Sequence, residues 1–230
     1  MRSAHEGDVF PLPLPKENVM KAVDEMKKSS PKRNFKQSVE LIVRLRDIDV
    51  KKSESRISET IELPNPVEKP IKGCVIATGD LAVRAKAAGA DLVLGREDLD
   101  RLSKDKKTAK KTASNYDFFI AEAPLMPLTG KTIGAFLGPR GKMPTPVPPS
   151  APIEEIIKRH RRLVRIRVRD HPMIQCRVGT EDMPDEKIAE NIQAVIGGVE
   201  AKLERGARNI ASVVLKTAMG APIKIAMAKE

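Results

Sequence analysis

The sequence predicts a two-domain protein of mixed α/β and α+β class, with an α+β domain made of both chain termini and an inserted three-layer α/β (Rossmann-like) domain. Alternating apolar and polar residues indicate half-buried strands in both outer segments. Short, fully apolar runs indicate buried parallel strands in the middle, and two proline-rich stretches separate these regions. We place the terminal domain at residues 1–68 and 162–230 and the insert at residues 69–161.

The first outer segment predicts a helix and two strands. Pro15 stands where a helix can begin, and Pro31 cannot continue one. The apolar residues between them recur at helical spacing: Val19, Met20, Val23 and Met26. Apolar and polar residues then alternate over residues 39–45, which predicts a strand with one buried face. A second strand is expected over residues 57–63.

The middle segment predicts strands that alternate with helices. Short apolar runs at residues 74–77, 92–94 and 118–120 are separated by stretches that are compatible with helices. This order is typical of a parallel sheet that is covered by helices on both faces. One of the expected helices carries a cluster of lysines: Lys104, Lys106, Lys107, Lys110 and Lys111.

The remaining elements complete both domains. Apolar spacing predicts a helix over residues 153–161, a strand over 164–168, a long helix over 184–205, and strands over 212–215 and 223–227. The two outer segments thus both contain half-buried strands and helices. We therefore expect them to pair with each other, with the middle segment inserted between them.

The composition favours a nucleic acid as partner. Lys and Arg total 42 against 31 Asp and Glu, and this net charge of +11 suits a polyanion. No apolar run approaches the roughly 18 residues of a spanning helix, so we expect no membrane partner and a cytoplasmic location. Aromatic residues make up only 3% of the chain. We therefore expect RNA to be bound through shape, phosphate and hydroxyl contacts rather than by stacking on aromatic rings.

No residue pattern predicts a catalytic site, a cofactor or a metal site. Gly130-Lys131-Thr132 lacks the first glycine of a phosphate-binding loop. Asp80 follows an apolar strand without a glycine-rich fingerprint, and we expect it to cap the next helix. The two cysteines are expected to be buried free thiols, and the three histidines lie near no other metal ligand. The alternatives are an RNA-modifying enzyme with a nucleotide-derived cofactor and a nonspecific basic nucleic-acid-binding protein.

Three features indicate contact with nucleic acid. In a basic strand, Arg165, Arg167 and Arg169 alternate with apolar residues, and their mutual repulsion favours a bound anion over a solvated face. In an irregular loop, glycines and prolines present two cations, although the same pattern is equally typical of an ordinary turn; the loop is Gly138-Pro139-Arg140-Gly141-Lys142-Met143-Pro144. In the turn Thr217-Ala218-Met219-Gly220, glycine permits close approach and threonine offers a hydroxyl to RNA.

The loop, the segment at Phe35 and the Met219-Gly220 turn together resemble the universal ribosomal protein family numbered first in the large subunit, the stalk protein L-one, in its archaeal type. The similarity covers nearly the whole chain. It implies a terminal domain that binds ribosomal RNA and an inserted domain on a flexible hinge. It also implies a mobile stalk beside the transfer RNA exit site, a role in transfer RNA release, and repression of translation through the protein's own messenger RNA.

The family's RNA-binding surface carries over to this chain residue by residue: Phe35, Lys36, Ser38, Glu40, Met219 and Gly220. The chain departs from the family's usual Thr-Met-Gly-Pro turn, since Ala218 takes the usual Thr position and Thr217 is displaced by one. Adjacent strand residues point to opposite faces, so Thr217 replaces the usual hydroxyl only if the strand bulges. We further expect a monomer when the protein is free, and a lysine-rich helix that either contacts transfer RNA or stays solvated.

Overall fold

The computed structural model of the chain describes residues 14–50, 57–67, 71–168 and 170–227. The helices in these ranges are α1 (Lys16–Ser29), α2 (Gly79–Ala87), α3 (Arg96–Lys104), α4 (Lys106–Asn115), α5 (Met126–Thr132), α6 (Gly134–Leu137), α7 (Ile153–His160) and α8 (Asp185–Glu200). The strands are β1 (Ser38–Leu45), β2 (Ser58–Glu62), β3 (Gly73–Ile76), β4 (Leu92–Leu94), β5 (Phe118–Glu122), β6 (Thr145–Val147), β7 (Leu163–Arg167), β8 (Met173–Thr180), β9 (Ile210–Thr217) and β10 (Ile223–Ile225).

The chain divides into two compact units. One contains residues 1–68 and 162–230, and the other contains residues 69–161; we call them the terminal unit and the inserted unit. Each has its own sheets and its own apolar core. The prediction of a mixed α/β fold is confirmed, because the first unit pairs antiparallel strands and the second pairs parallel strands.

A four-stranded antiparallel sheet in the order β10-β9-β1-β8 forms the centre of the terminal unit. The strand β1, from the first outer segment, lies between two strands of the last outer segment. Leu41 of β1 faces Cys176 of β8 and Leu215 of β9, and all three side chains are buried in one core. Strands of the two outer segments therefore pair with each other in this sheet.

The helices α1 and α8 pack on one face of this sheet through apolar stripes. The stripe of α1 buries Val19, Val23 and Met26, and the helix ends before Pro31, which lacks the N–H that a continuing helix needs. The stripe of α8 recurs every three or four residues: Ile188, Ile192, Val195 and Val199. The helix α8 ends at Glu200 rather than at the predicted residue 205, and turns lead from there into β9.

The strand β8 is missing from the sequence predictions. Its buried residues Ile174, Cys176 and Val178 alternate with the exposed Met173 and Gln175. The period of two that marks a half-buried strand is therefore present in the sequence.

A two-stranded antiparallel sheet joins β2 and β7, again from the two outer segments. Beyond the end of β2, the backbone N–H of Leu63 donates to the carbonyl of Arg162 at 2.9 Å. The side chain of Asn191 in α8 exchanges hydrogen bonds with the backbone of Asn65, at 3.0 Å in both directions. The chain next to the insert is thus held on the terminal unit.

The inserted unit contains a parallel sheet in the order β4-β3-β5-β6. In β3, Cys74 and Ile76 pack into a core with residues of α3, α4 and α6. Val75, which points to the opposite face, packs with residues of α2 and α7. Helices therefore cover both faces of the sheet, and the unit has three layers.

Asp105 divides the predicted lysine-rich helix into α3 and α4. Its carboxylate accepts hydrogen bonds from the backbone N–H groups of Lys107 and Thr108, at 2.9 and 3.2 Å, and from the Thr108 hydroxyl. These bonds, led by the one from the Thr108 hydroxyl, lower the pKa of Asp105. Asp105 caps α4 because the first N–H groups of a helix have no partner within the helix.

Both cysteines, Cys74 and Cys176, are buried and free. Burial raises the pKa of each thiol to about 12. The thiols are therefore protonated at neutral pH, and the thiolate that reacts with oxidants or metals is scarce. Among the helices of the described ranges, none is both long and apolar enough to cross a membrane.

Candidate nucleic-acid interface

The four-stranded sheet of the terminal unit has one face that α1 and α8 do not cover, which we call the polar sheet face. Antiparallel sheets commonly keep one face for solvent or a ligand. The residues of this face alternate with core residues along three strands: Ser38, Glu40, Ile42 and Arg44 of β1, Gln175 and Arg177 of β8, and Ser212, Val214 and Lys216 of β9.

Glu40 lies at the centre of the polar sheet face. Its cross-strand neighbours are Arg177 on β8 and Lys216 on β9, and the side-chain amide of Gln175 donates to its carboxylate at 3.1 Å. Because two cations flank one carboxylate, these three side chains together carry a net positive charge. The Glu40 carboxylate can still accept a hydrogen bond from a ribose hydroxyl. The sequence predicted Glu40 and missed Arg177 and Lys216, although the alternation along β8 and β9 marks their face.

Two exposed apolar side chains stand at the end of the polar sheet face where β1 begins. Phe35 is 53% exposed and Met219 is 57% exposed. The turn after β9 is bonded to the start of β1, since the N–H of Ala218 donates to the carbonyl of Ser38 at 3.0 Å. The structure therefore brings together two segments that lie far apart in the sequence, and each of them carries a large exposed apolar side chain.

Lys36 is held by an ion pair at the surface. Its ammonium lies 2.6 Å from the carboxylate of Asp182, and both side chains are substantially exposed. Exposed ion pairs contribute only about 0 to 1 kcal/mol. A phosphate can therefore compete for Lys36 at little cost to the fold.

Thr217 does not lie on this surface. Its side chain is buried, and its hydroxyl oxygen lies 2.9 Å from that of Ser30. The last pairs of β9 with β1 keep a regular register from Ser212 to Thr217, so no bulge turns Thr217 outward. Its assignment to the RNA-binding surface is therefore corrected, because adjacent strand residues point to opposite faces.

Gly220 belongs to the turn, and its position depends on Thr217. A Cβ atom at Gly220 would lie 2.3 Å from the hydroxyl oxygen of Thr217, which is far inside van der Waals contact. The N–H of Gly220 also donates to the Thr217 carbonyl at 3.1 Å. Glycine is required here because the backbone passes so close to a buried side chain.

Arg165 and Arg167 are exposed on β7, in the two-stranded sheet rather than on the polar sheet face. Ser58 and Thr60 of β2 are their cross-strand neighbours, and the guanidinium of Arg165 donates to the Ser58 hydroxyl at 3.1 Å. The two arginines point to one side, as the alternation predicted. Arg169 lies outside the described residues.

The Gly138–Pro144 loop belongs to the inserted unit, and its two cations are bonded within that unit. The Lys142 ammonium donates to the carbonyls of Tyr116 and Ala113, at 2.5 and 3.3 Å, just where α4 ends. The Arg140 guanidinium donates to the Phe136 carbonyl at 2.9 Å and reaches the Ser114 hydroxyl at 3.2 Å. Cations at a helix C-terminus satisfy carbonyls that have no partner in the helix. The structure thus assigns this loop a stabilising role that its sequence did not indicate.

The lysines of α4 form an exposed basic face. Its members are Lys106, Lys107, Lys110 and Lys111, and they surround the buried Ala109 and Ala113, which anchor the helix. Lys104 ends the preceding helix. This face suits a phosphate backbone, since its charges project from one rigid helix.

The carboxyl edge of the parallel sheet carries a carboxylate. Glu122 is nearly buried at the end of β5 and accepts from the N–H and the hydroxyl of Thr78, both at 2.9 Å. Proteins of α/β architecture hold nucleotide phosphates at this edge, beside a helix N-terminus such as that of α2. A carboxylate in that place repels phosphate.

The prediction that Asp80 caps α2 is wrong, since Asp80 instead pairs with Arg84 at 2.7 Å.

No group of three or more His, Cys, Asp and Glu side chains within the described ranges is arranged to hold a metal ion.

Comparison with known proteins identifies the family. The family described as "Ribosomal protein L1p/L10e family" matches residues 26–221. The "Large ribosomal subunit protein uL1" of Hyperthermus butylicus is 50% identical over 212 residues, which cover 92% of this chain and 97% of the relative. Proteins of the same name from Thermofilum pendens and Methanothermobacter thermautotrophicus are 49% and 46% identical, over 89% and 91% of this chain and 91% and 99% of the relatives. The resemblance noted in the sequence is thereby confirmed, and the chain belongs to the ribosomal protein L1p/L10e family.

Proposed function

We propose that the protein is a component of the large ribosomal subunit and binds ribosomal RNA through its terminal unit. Its relatives carry the name of a large-subunit protein at 46% to 50% identity. Membership in a family of ribosomal proteins makes the chain a structural protein and not an enzyme. The observation that carries the RNA assignment is the pair of exposed apolar side chains, Phe35 and Met219, at the end of the polar sheet face.

The proposed mode of recognition follows from the chemistry of this surface. Ser38 and Glu40 offer a hydroxyl and a carboxylate to ribose hydroxyl groups, and Lys36 offers its charge to a phosphate. Phe35 and Met219 cover ribose or base surfaces without the stacking platform that an aromatic-rich sheet provides. Arg165 and Arg167 supply further phosphate contacts from β7. Specificity then comes from the shape of a folded RNA.

We further propose that the protein forms the mobile stalk beside the site where transfer RNA leaves the ribosome. In this proposal the terminal unit holds the stalk RNA, and the inserted unit contacts transfer RNA and takes part in its release. The exposed lysine face of α4 supports this division of labour, since it offers charge for a phosphate backbone. Loss of transfer RNA crosslinking on lysine-to-glutamine change at Lys110 and Lys111, with ribosomal RNA binding kept, is the expected result.

The protein also acts, in this proposal, as a monomeric repressor of its own synthesis. A surface that recognises shape binds any RNA that presents the same fold, including a segment of the protein's own messenger RNA. Competition between the two RNAs for one protein molecule tests this point. Simultaneous binding of both would show that they use different surfaces.

Two other functions compete with this one. An RNA-modifying enzyme with a nucleotide-derived cofactor is disfavoured by Glu122, whose carboxylate occupies the edge where such cofactors place their phosphates. A nonspecific basic protein binds any RNA and loses affinity steeply with salt. Phe35 and Met219 argue against it, because exposed apolar groups add nothing to a purely electrostatic contact.

A gel-shift titration tests the proposal. The protein is titrated against the stalk fragment of large-subunit ribosomal RNA and against a scrambled RNA of equal length, at two salt concentrations. We expect tight binding of the stalk fragment that persists at the higher salt, and weak binding of the scrambled RNA that does not. Equal affinity for both RNAs would show that the protein binds RNA nonspecifically.

A further inference from the structure

One buried amide, that of Gln37, lies beneath the proposed RNA-binding surface. Gln37 stands between Lys36 and Ser38, just before β1, and it is 0% exposed. Because its side chain is buried, Gln37 does not contact a bound RNA through its amide. A buried amide has to satisfy two N–H groups and one carbonyl within the protein, because leaving them unpaired costs about 1 to 3 kcal/mol.

The partners of Gln37 come from three separate segments of the chain, at residues 30–31, 181 and 219. Its Nε2 donates to the Pro31 carbonyl at 2.9 Å, to the Ser30 hydroxyl at 3.1 Å and to the Glu181 carboxylate at 3.2 Å. Its Oε1 accepts from the backbone N–H of Met219 at 3.1 Å. The amide therefore ties together the chain after α1, the chain after β8 and the turn after β9.

The chemistry of the partners fixes the orientation of the amide. A flipped amide would set Nε2 against the N–H of Met219 and Oε1 against the Pro31 carbonyl and the Glu181 carboxylate, and both contacts would repel. The backbone of Gln37 adds two bonds to the same neighbour, since its N–H donates to the Glu181 carboxylate at 2.9 Å and its carbonyl accepts from the Glu181 N–H at 3.0 Å.

Every segment that Gln37 holds carries a candidate RNA contact or its partner. The turn carries Met219, the chain after β8 carries Asp182, which pairs with Lys36, and the segment after α1 leads into Phe35. Ser30 connects the amide to Thr217, since the two hydroxyls lie 2.9 Å apart. Ordering such segments before binding removes an entropy cost from association.

We infer that Gln37 is a positioning residue of the RNA-binding surface: its buried amide sets the Met219 turn and the Phe35 segment in the arrangement that RNA requires. The inference rests on the proposed function. It adds a residue that touches no RNA and yet controls affinity for the folded RNA. Affinity for a scrambled RNA depends on charge alone, and the amide does not change charge.

The test compares two buried amides of the terminal unit. Asn191 is also 0% exposed, and it bonds to the backbone of Asn65 at 3.0 Å and to the Val178 carbonyl at 2.8 Å. Neither partner is itself a candidate RNA contact. Val178 follows Arg177 of the polar sheet face, but its bond from Asn191 holds α8 against β8 and not the Met219 turn or the Phe35 segment. Gln37→Met and Asn191→Leu each keep the side-chain volume and remove all polar bonds, so both should lower the free energy of unfolding.

Affinity for the stalk fragment and for the scrambled RNA is measured by gel shift, at a temperature where urea unfolding shows all proteins to be folded. We expect Gln37→Met to weaken stalk binding by about tenfold or more, the equivalent of one or two lost hydrogen bonds. Binding of the scrambled RNA should not change, and Asn191→Leu should bind both RNAs as the wild type does. Equal effects of the two variants on stalk binding would overturn the inference.

A second measurement needs no RNA. Hydrogen exchange of the Met219 amide should become faster in Gln37→Met and remain slow in Asn191→Leu. Where Gln37→Met does not fold, Gln37→Glu takes its place: it keeps an acceptor for Met219, cannot donate to Pro31 and faces Glu181. Its affinity for the stalk fragment should fall by a larger factor than its affinity for the scrambled RNA, which registers only the added charge. Wild-type affinity of that variant would overturn the inference.

The two failures are distinguishable. If the wild type binds both RNAs equally, the proposed function is wrong and the inference falls with it, whatever the Met219 amide does. If the wild type prefers the stalk fragment and Gln37→Met binds it equally well, only the inference is wrong.

Discussion

The hydroxyl groups of Thr217 and Ser30 lie 2.9 Å apart inside the terminal unit. This contact joins the last residue of β9 to the residue that follows α1, and it keeps the only hydroxyl of the Thr217-Ala218-Met219-Gly220 turn away from the surface. On the neighbouring strand, Ser38 lies on the opposite side of the sheet, and its hydroxyl is the one that the proposed RNA contact uses near this turn.

Thr217→Val should leave RNA affinity unchanged and lower the free energy of unfolding by about 1 kcal/mol, the usual contribution of one buried hydrogen bond. Ser30 retains its bond from Gln37, so the loss stays small. Gel shift and urea unfolding measure the two quantities. Ser30→Ala is the matched control for stability, and a clear loss of stalk binding in folded Thr217→Val would instead show that Thr217 contacts RNA.

Gly220→Ala should lower stability by about 1 to 3 kcal/mol and weaken stalk binding, because the new Cβ would overlap the Thr217 hydroxyl and displace the turn. Thr217→Ala removes that hydroxyl. The double variant should therefore be nearly as stable as Thr217→Ala alone, and a double-mutant cycle by urea unfolding measures this coupling. Additive effects of the two changes would contradict the proposed overlap.

Local periodicity was sufficient to predict much of this fold. The alternation around Leu41 predicted a strand with one buried face, and the same period along β8 places Arg177 on the face opposite the core. The direction of Thr217 also followed from strand geometry. These features depend on the order of residues within one segment, which the sequence contains directly.

Contacts between distant segments could not be predicted in this way. The positive charges of Arg140 and Lys142 suggested a ligand. Lys142 instead donates to carbonyls at the end of α4, and Arg140 donates to the Phe136 carbonyl and the Ser114 hydroxyl. The role of Gln37 could not be predicted from the sequence either, since one polar residue before a strand has no periodicity and its partners lie up to 182 residues away. Such roles depend on which distant segments the fold brings together. The order of residues within one segment does not contain that information.

Lys142→Met should destabilise the inserted unit and leave ribosomal RNA affinity unchanged. The ammonium bonds to the carbonyls of Tyr116 and Ala113, and hydrogen bonds to charged groups contribute about 1.5 to 3 kcal/mol. Thermal unfolding followed by circular dichroism measures the effect. Lys110→Met, an exposed lysine of the same unit, is the control and should unfold as the wild type does. Weaker stalk binding by a folded Lys142→Met protein would show that the Gly138–Pro144 loop contacts ribosomal RNA.

Asp105 should make the stability of the inserted unit depend on acid pH. Its pKa is lowered in the folded protein, chiefly by the hydrogen bond from the Thr108 hydroxyl. A carboxyl group with a lowered folded pKa contributes stability above its unfolded pKa and loses that contribution as the pH falls through the folded value. Unfolding followed from neutral pH into the acid range should show this loss in the wild type and a smaller one in Asp105→Asn. Identical pH profiles would mean that the cap does not stabilise α4.

Arg165→Gln and Arg167→Gln should weaken binding to the stalk fragment and to a scrambled RNA by similar factors. A phosphate contact carries no base information, and each one contributes roughly 0.7 to 0.9 to the slope of log affinity against log salt concentration. Each variant should therefore reduce the magnitude of that slope by the contribution of about one phosphate contact, whereas Arg165→Lys should leave the slope unchanged. Lys28→Gln removes one positive charge from α1, where Lys28 pairs with Asp24, and is the control for a change in net charge. A slope that falls equally in the control would show that the arginines act only through the overall charge of the protein.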